Sequence, residues 1–201
     1  MNNPDFFDAV DTIQMKDPLS NMLGTFVNGD VTFSYLDVVK AAGHSCPTVA
    51  GAYLMTLKAL KELYPDSTPV RGNISVAFSD AEDEGGAGVV GNVISHITGA
   101  AGNSGFKGLN GRFARHSLMA FGADVSSSAR FTRIDTGESV DIFYNPVVVP
   151  PNTEMHTLMP KILGGKANEE EQKCFGELWQ ERVKRILIDN VDNAAMIRVE
   201  G

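Results

Sequence analysis

A chain of 201 residues, 43% hydrophobic and 21% charged, is long enough to bury one substantial core, or one domain carrying a helical extension. A formal net charge of -8, with no cluster of Lys and Arg, argues against electrostatic binding to nucleic acid. No apolar run reaches the ~18 residues that a membrane helix needs, the first residues lack the parts of a signal peptide, and the only two cysteines, Cys46 and Cys174, suit reduced thiols, so no membrane association and a cytoplasmic location are expected.

In chain order, Phe6, Val10 and Ile13 recur at helical spacing and predict a short first helix ending before Lys16-Asp17-Pro18. Ser34 and Asp37 form a capping box opening a helix through Val38, Val39 and Ala42. That helix delivers the turn Gly43-His44-Ser45-Cys46-Pro47. A longer helix follows over about 47–64, its apolar stripe formed by Val49, Tyr53, Leu57, Leu60 and Tyr64, with Lys58, Lys61 and Glu62 facing water until Pro65 stops it. Alternation of Ile74, Val76 and Phe78 predicts a strand within 72–79, ending in the acidic knot Asp80, Glu82, Asp83 and Glu84.

The next helix, roughly 87–98, turns Val90, Val93, Ile94 and Ile97 inward and sets Asn92 and His96 one turn apart on another face. The glycine-rich run from Gly99 to Gly108 lacks the residue order of a Walker loop and reads either as a surface loop or as a wall against which a ligand approaches the backbone. Strands at 130–134 and 139–144 flank Thr136-Gly137 as a hairpin. Pro146, Pro150 and Pro151 mark a linker, dividing the chain into an α+β domain over 1–150 and a helical extension over 151–201. In that extension Asn168 caps a helix with Glu169, Glu170 and Glu171 in its first turn and Arg182, Lys184 and Arg185 near its end. Phe175, Leu178, Trp179, Val183, Ile186 and Leu187 make its apolar face, and Cys174 is expected in the core.

The chemistry concentrates at the turn before the long helix. His44 and Cys46 are the two residue types that bind borderline-soft transition metals best, and the positive end of the helix dipole favours the Cys46 thiolate. A complete zinc shell needs further ligands from elsewhere.

The stretch from Phe33 to Tyr53, with its glycine-histidine-x-cysteine-proline turn and the early helical Gly51, resembles the signature of the FmdE-like family of formylmethanofuran dehydrogenase components. A looser likeness lies in Asn92 to Gly99 and the glycine-rich run after it, so the resemblance spans roughly residues 33–145. It implies a metal-binding α+β domain with packed helices on an antiparallel or mixed sheet, usually a homodimer, accessory to a one-carbon or molybdenum or tungsten oxidoreductase, with Zn2+ the expected metal. Relatives commonly carry a further histidine where this chain has Ala42 and a cysteine within the stretch that here runs from Glu84 to Val90 without one.

Glu84 or Asp83 would replace that missing cysteine, and His96 is a further candidate ligand. Gly102, Asn103, Lys107 and Arg112, with Arg115 and His116 close by, are candidates for gripping an anionic cofactor. A haem- or pterin-binding delivery module is therefore a second reading, with another transition metal or haem iron as its metal and His156 among Met155 and Met159 as a lesser candidate. A Cys46-dependent enzyme activated by His44 is a third.

Overall fold

In the computed structural model, which describes residues 3–201, the longest and most deeply buried helix becomes the axis of an α+β fold. This helix, α3 (Pro47–Leu63), is buried at every position from Val49 to Leu57. A helix apolar on all sides needs partners on all sides. Helices α2 (Tyr35–Ala42) and α4 (Ala87–Thr98) pack against it, and a sheet covers another flank. The expected single stripe is thus only part of a fully apolar surface. Water reaches α3 near its end, where Lys58 and Lys61 pair with Asp192 and Asp11.

The sheet has five strands in the order β4 (Met119–Ala120), β3 (Ile74–Ala77), β5 (Ala129–Arg133), β6 (Ser139–Tyr144) and β7 (Ile197–Glu200). Only β3 and β4 run parallel, so the sheet is mixed. Ile74, Val76, Ala129, Phe131, Val140 and Ile142 form its buried face. The opposite face is polar, as expected of a largely antiparallel sheet covered on one side. There Arg130 and its register partner Asp141 make two hydrogen bonds, at 3.0 and 2.6 Å, and Arg198 lies over the ring of Phe143 across the β6–β7 pair.

The first expected helix does not form. Asp5–Ala9 is a 3-10 turn, Val10 is extended, and Ile13 enters β1 (Ile13–Lys16), which pairs antiparallel with β2 (Asp30–Phe33). Val10 and Ile13 are buried as expected but from extended chain, and within the turn it is Phe7, not Phe6, that is buried and meets Tyr35 edge to face at 5.0 Å. The capping box at Ser34, the hairpin around Thr136-Gly137 and the Asn168 cap form as expected.

Beyond the proline-rich segment lie α5 (Met155–Leu163) and α6 (Glu169–Lys184), the latter continuing into a π-helical turn, Arg185–Asp189. Arg182 donates to the carbonyls of Val149 and Pro146, and Arg185 to that of Pro150, so the proline-rich stretch is laced to α6. Val183, Ile186 and Leu187 enter the core, and β7 then adds the outermost strand beside β6. Cys174 is half-buried beside Glu154 and lies outside the core, because α6 presents that flank to α5.

A buried charge cluster joins the ribbon, α4 and the glycine-rich loop. Asp17 is 3% exposed and caps the short helix α1 (Pro18–Met22) by accepting from the N–H groups of Leu19 and Ser20. It also accepts from Arg115 at 2.8 Å and from Arg71 at 2.9 Å. Arg71 in turn donates to the carbonyls of Ile97 and His96, satisfying the C-terminal end of α4. Gly99 ends that helix at φ +76°, and a Cβ there would lie 2.1 Å from Nη1 of Arg115, so only glycine leaves room for the guanidinium.

Burial pushes the Asp17 carboxyl up, but the Ser20 N–H and the guanidinium groups of Arg115 and Arg71 outweigh it and hold the carboxyl below its ordinary range. With its folded pKa depressed, Asp17 contributes stability that is complete above the unfolded-chain value of about 3.9 and is lost as pH falls through the lower folded value. Asp17→Asn, which strands two buried cations, is expected to cost about 3–5 kcal/mol in urea unfolding at pH 7. A cost under about 1 kcal/mol would show the cluster to be energetically idle. Gly51 carries a second expectation: a Cβ there would lie 2.2 Å from the Tyr144 ring, so Gly51→Ala should destabilise by about 1–3 kcal/mol, and an unchanged denaturation midpoint would mean that Tyr144 moves freely.

Candidate metal centre at the His44 turn

Gly43 ends α2 in the left-handed conformation at φ +78°, which turns the chain sharply and leaves His44 exposed at the mouth of a groove between α2 and α4. Nδ1 of His44 lies 3.1 Å from the carbonyl oxygen of Ala42. A carbonyl only accepts, so this contact fixes the proton on Nδ1 and leaves the Nε2 lone pair free to ligate. Metal-binding histidines are commonly oriented by such a bond from the other ring nitrogen.

His44 lines a cavity of about 260 Å3 together with Asn92 and His96 of α4, whose apolar walls include Val38 and Val93. His96 is set by an edge-to-face contact with Phe33 at 5.5 Å, and Arg71 lies over the other flank of this arrangement, 5.2 Å from the Phe33 ring. Burial lowers the His96 pKa, the Arg71 cation lowers it further, and Asp37 opposes both without prevailing. His96 is therefore neutral at pH 7, the form that binds a metal.

Cys46 lies elsewhere. It is 8% exposed, belongs to the hydrophobic core, and serves as the N-cap of α3, its sulfur 3.5 Å from the N–H of Val49. The turn thus sends the imidazole outward and the thiol inward, and the groove that holds His44 does not include Cys46. Four side chains outside the turn clamp it. Trp179 and Gln180 of α6 donate to the carbonyl of Ser45 at 2.9 and 3.3 Å, Tyr144 donates to the carbonyl of Pro47 at 2.8 Å, and the Tyr35 hydroxyl bonds Ser45 Oγ at 2.9 Å. Burial pushes the phenols of Tyr35 and Tyr144 well above their ordinary pKa, so both remain hydrogen-bonding hydroxyls at any working pH.

The remaining candidates do not gather there. Glu84 and Asp83 are exposed in the acidic turn, where Glu84 accepts from the N–H of Ala81 at 3.4 Å. The glycine-rich loop folds against residues 115–119: Gly102 accepts from the N–H of Ser117, and Asn103 from its hydroxyl. Lys107 is exposed, Arg112 lies over the ring of Phe113, and Arg115 turns inward to Asp17. None of Gly102, Asn103, Lys107 and Arg112 lines the His44 groove, so they bring no anion-binding wall to it. The second cavity near the N-terminus of α3, about 470 Å3, is lined by Thr48, Asp80, Ser127 and Tyr144 among others and holds neither histidine nor cysteine.

The spacing of Asn92 and His96 along α4 marked them as a pair, and the fold brings His44 to them. Trp179 and Gln180 carried no such signal, since nothing in the sequence ties residue 179 to residue 45. Among the described residues, no three His, Cys, Asp or Glu side chains are grouped to hold a metal, so an ion here would take two imidazoles and fill its shell with water or the Asn92 carboxamide. No family model matches this chain, and neither does any curated protein.

Proposed function

We propose that the protein binds a borderline transition-metal ion, Zn2+ before others, in the groove between α2 and α4, with His44 and His96 as its ligands. The observation that carries this reading is the Nδ1 contact of His44 with Ala42, which frees Nε2 beside a second, neutral imidazole. Cys46 then acts as the cap that fixes where the turn begins. Two protein ligands leave coordination positions open, which suits an accessory or carrier role toward an oxidoreductase, in keeping with the resemblance to the FmdE-like formylmethanofuran dehydrogenase components. A homodimer in the cytoplasm completes the reading. Two free thiols agree with a reducing compartment, no helix among the described residues is long and apolar enough to cross a membrane, and Leu23 and Val27 present apolar surface that a second copy would cover.

Equilibrium dialysis against Zn2+ should give about one ion per chain, with His44→Ala and His96→Ala each weakening binding by at least about tenfold. Retention of full affinity in both variants would sink the proposal. Substituted Co2+ should show no thiolate-to-metal absorption; a band that disappears in Cys46→Ser would exchange His96 for Cys46 in the ligand set. In the metal-free protein the His96 ring should titrate below about 6.5 by NMR, and Zn2+ affinity should decline as acid protonates the imidazole ligands. A midpoint above that value would mean that Asp37 governs the ring. Light scattering should report twice the chain mass, and a monomer at all concentrations would remove the dimer from the reading.

A further inference from the structure

A cavity of about 470 Å3 opens between α5 and α6, within the size range of small-molecule sites. Met155 and Met159 of α5, Leu178 and Trp179 of α6, and two prolines form its apolar wall. Its polar lining residues are His156 and Arg182.

Arg182 is half-buried; its Nε donates to Val149 and its Nη2 to Pro146, both backbone carbonyls, and among the described residues it makes no ion pair and its Nη1 finds no acceptor. Burial pushes its pKa down, Tyr144 opposes this, and neighbouring Arg185 reinforces it. A half-buried cation without a counter-charge beside an apolar wall is a ready partner for an anion that reaches it. The methionines are unbranched and adapt to varied apolar shapes, so the wall tolerates a tail of loose definition, whereas the guanidinium sets a fixed demand for a planar anion at one end.

We propose that this cavity binds an organic monocarboxylate with an apolar tail, its carboxylate on Nη1 of Arg182 and its tail against Met155, Met159, Leu178 and Trp179. The site shares no lining residue with the His44 groove and does not depend on a metal there. The concave shape and the single unpaired cation fit a small amphipathic anion rather than a protein segment.

Trp179 is the chain's one tryptophan and lines the cavity, so its emission reports occupancy of the full-length protein directly. Titration with decanoate below its micellar concentration should give a saturable blue shift, with decanol as the uncharged probe of equal length. Arg182→Gln should weaken decanoate by about tenfold or more, the loss expected for one charge-assisted hydrogen bond, and leave decanol unchanged. Met159→Phe, which fills the cavity without touching the arginine, should abolish both shifts. If Arg182→Gln fails to fold, the comparison of decanoate with decanol on the unaltered protein decides: tighter binding of the acid supports the proposal, and equal binding overturns it. No saturable shift with either probe, or a titration that Met159→Phe leaves intact, also overturns it.

Discussion

One carboxylate ties together parts of the chain that lie far apart in sequence. Asp17 ends the first strand of the ribbon, caps a short helix, and binds arginines brought from residues 71 and 115. Through Arg71 it reaches the last turn of α4, and through Arg115 it anchors the segment against which the glycine-rich loop folds. A buried ion cluster of this kind contributes less to net stability than to choosing one arrangement over its competitors, since apolar side chains of equal volume would pack without dictating which loop faces which helix. The cluster carries two cations to one anion, and the carbonyls of His96 and Ile97 absorb part of the excess.

The His44 turn depends on that arrangement at one remove. His96 sits in the last turn of α4, where Arg71 binds its carbonyl, so the position of the second imidazole follows from the carboxylate at residue 17 as much as from its own helix. From the other direction α6 reaches over with Trp179 and Gln180 to hold the Ser45 carbonyl. A surface turn with a glycine at its start would otherwise be among the more mobile parts of the molecule. Here two backbone carbonyls and the Ser45 hydroxyl are bonded to side chains from three elements, and the histidine projects from a fixed base.

Much of the local structure could be read from the chain because local chemistry decides it. The Ser34 and Asn168 capping boxes, the Thr136-Gly137 hairpin and the proline at the first turn of α3 are each settled within a few residues. The apolar pattern of Phe6, Val10 and Ile13 misled because three residues are too few to fix a helix, and partners at residues 33 and 35 drew the segment into a turn and a strand instead. The same holds at the candidate site. Asn92 and His96 were legible as neighbours on one helix face, but whether they faced Cys46, Glu84 or neither was a long-range matter. Lys107, Arg112 and Arg115 formed one basic segment in sequence, yet only the last turned inward, because Gly72 and Gly99 leave space for that side chain and Asp17 waits behind it.

The closure of the sheet by β7 bears on how the protein is made. A ribosome releases β5 and β6 as a ready hairpin more than fifty residues before residues 197–200 exist, counted along the chain from Tyr144 to Ile197. During that interval the outer edge of β6 offers unpaired N–H and C=O groups to any passing strand, the hazard that finished sheets hide. The intervening segment, with its proline-rich lacing and two helices, must find its place on the core before the edge is covered. Synthesis therefore leaves this chain with a period of exposure set by the distance between β6 and β7, during which a chaperone that shields open strand edges has the most to offer.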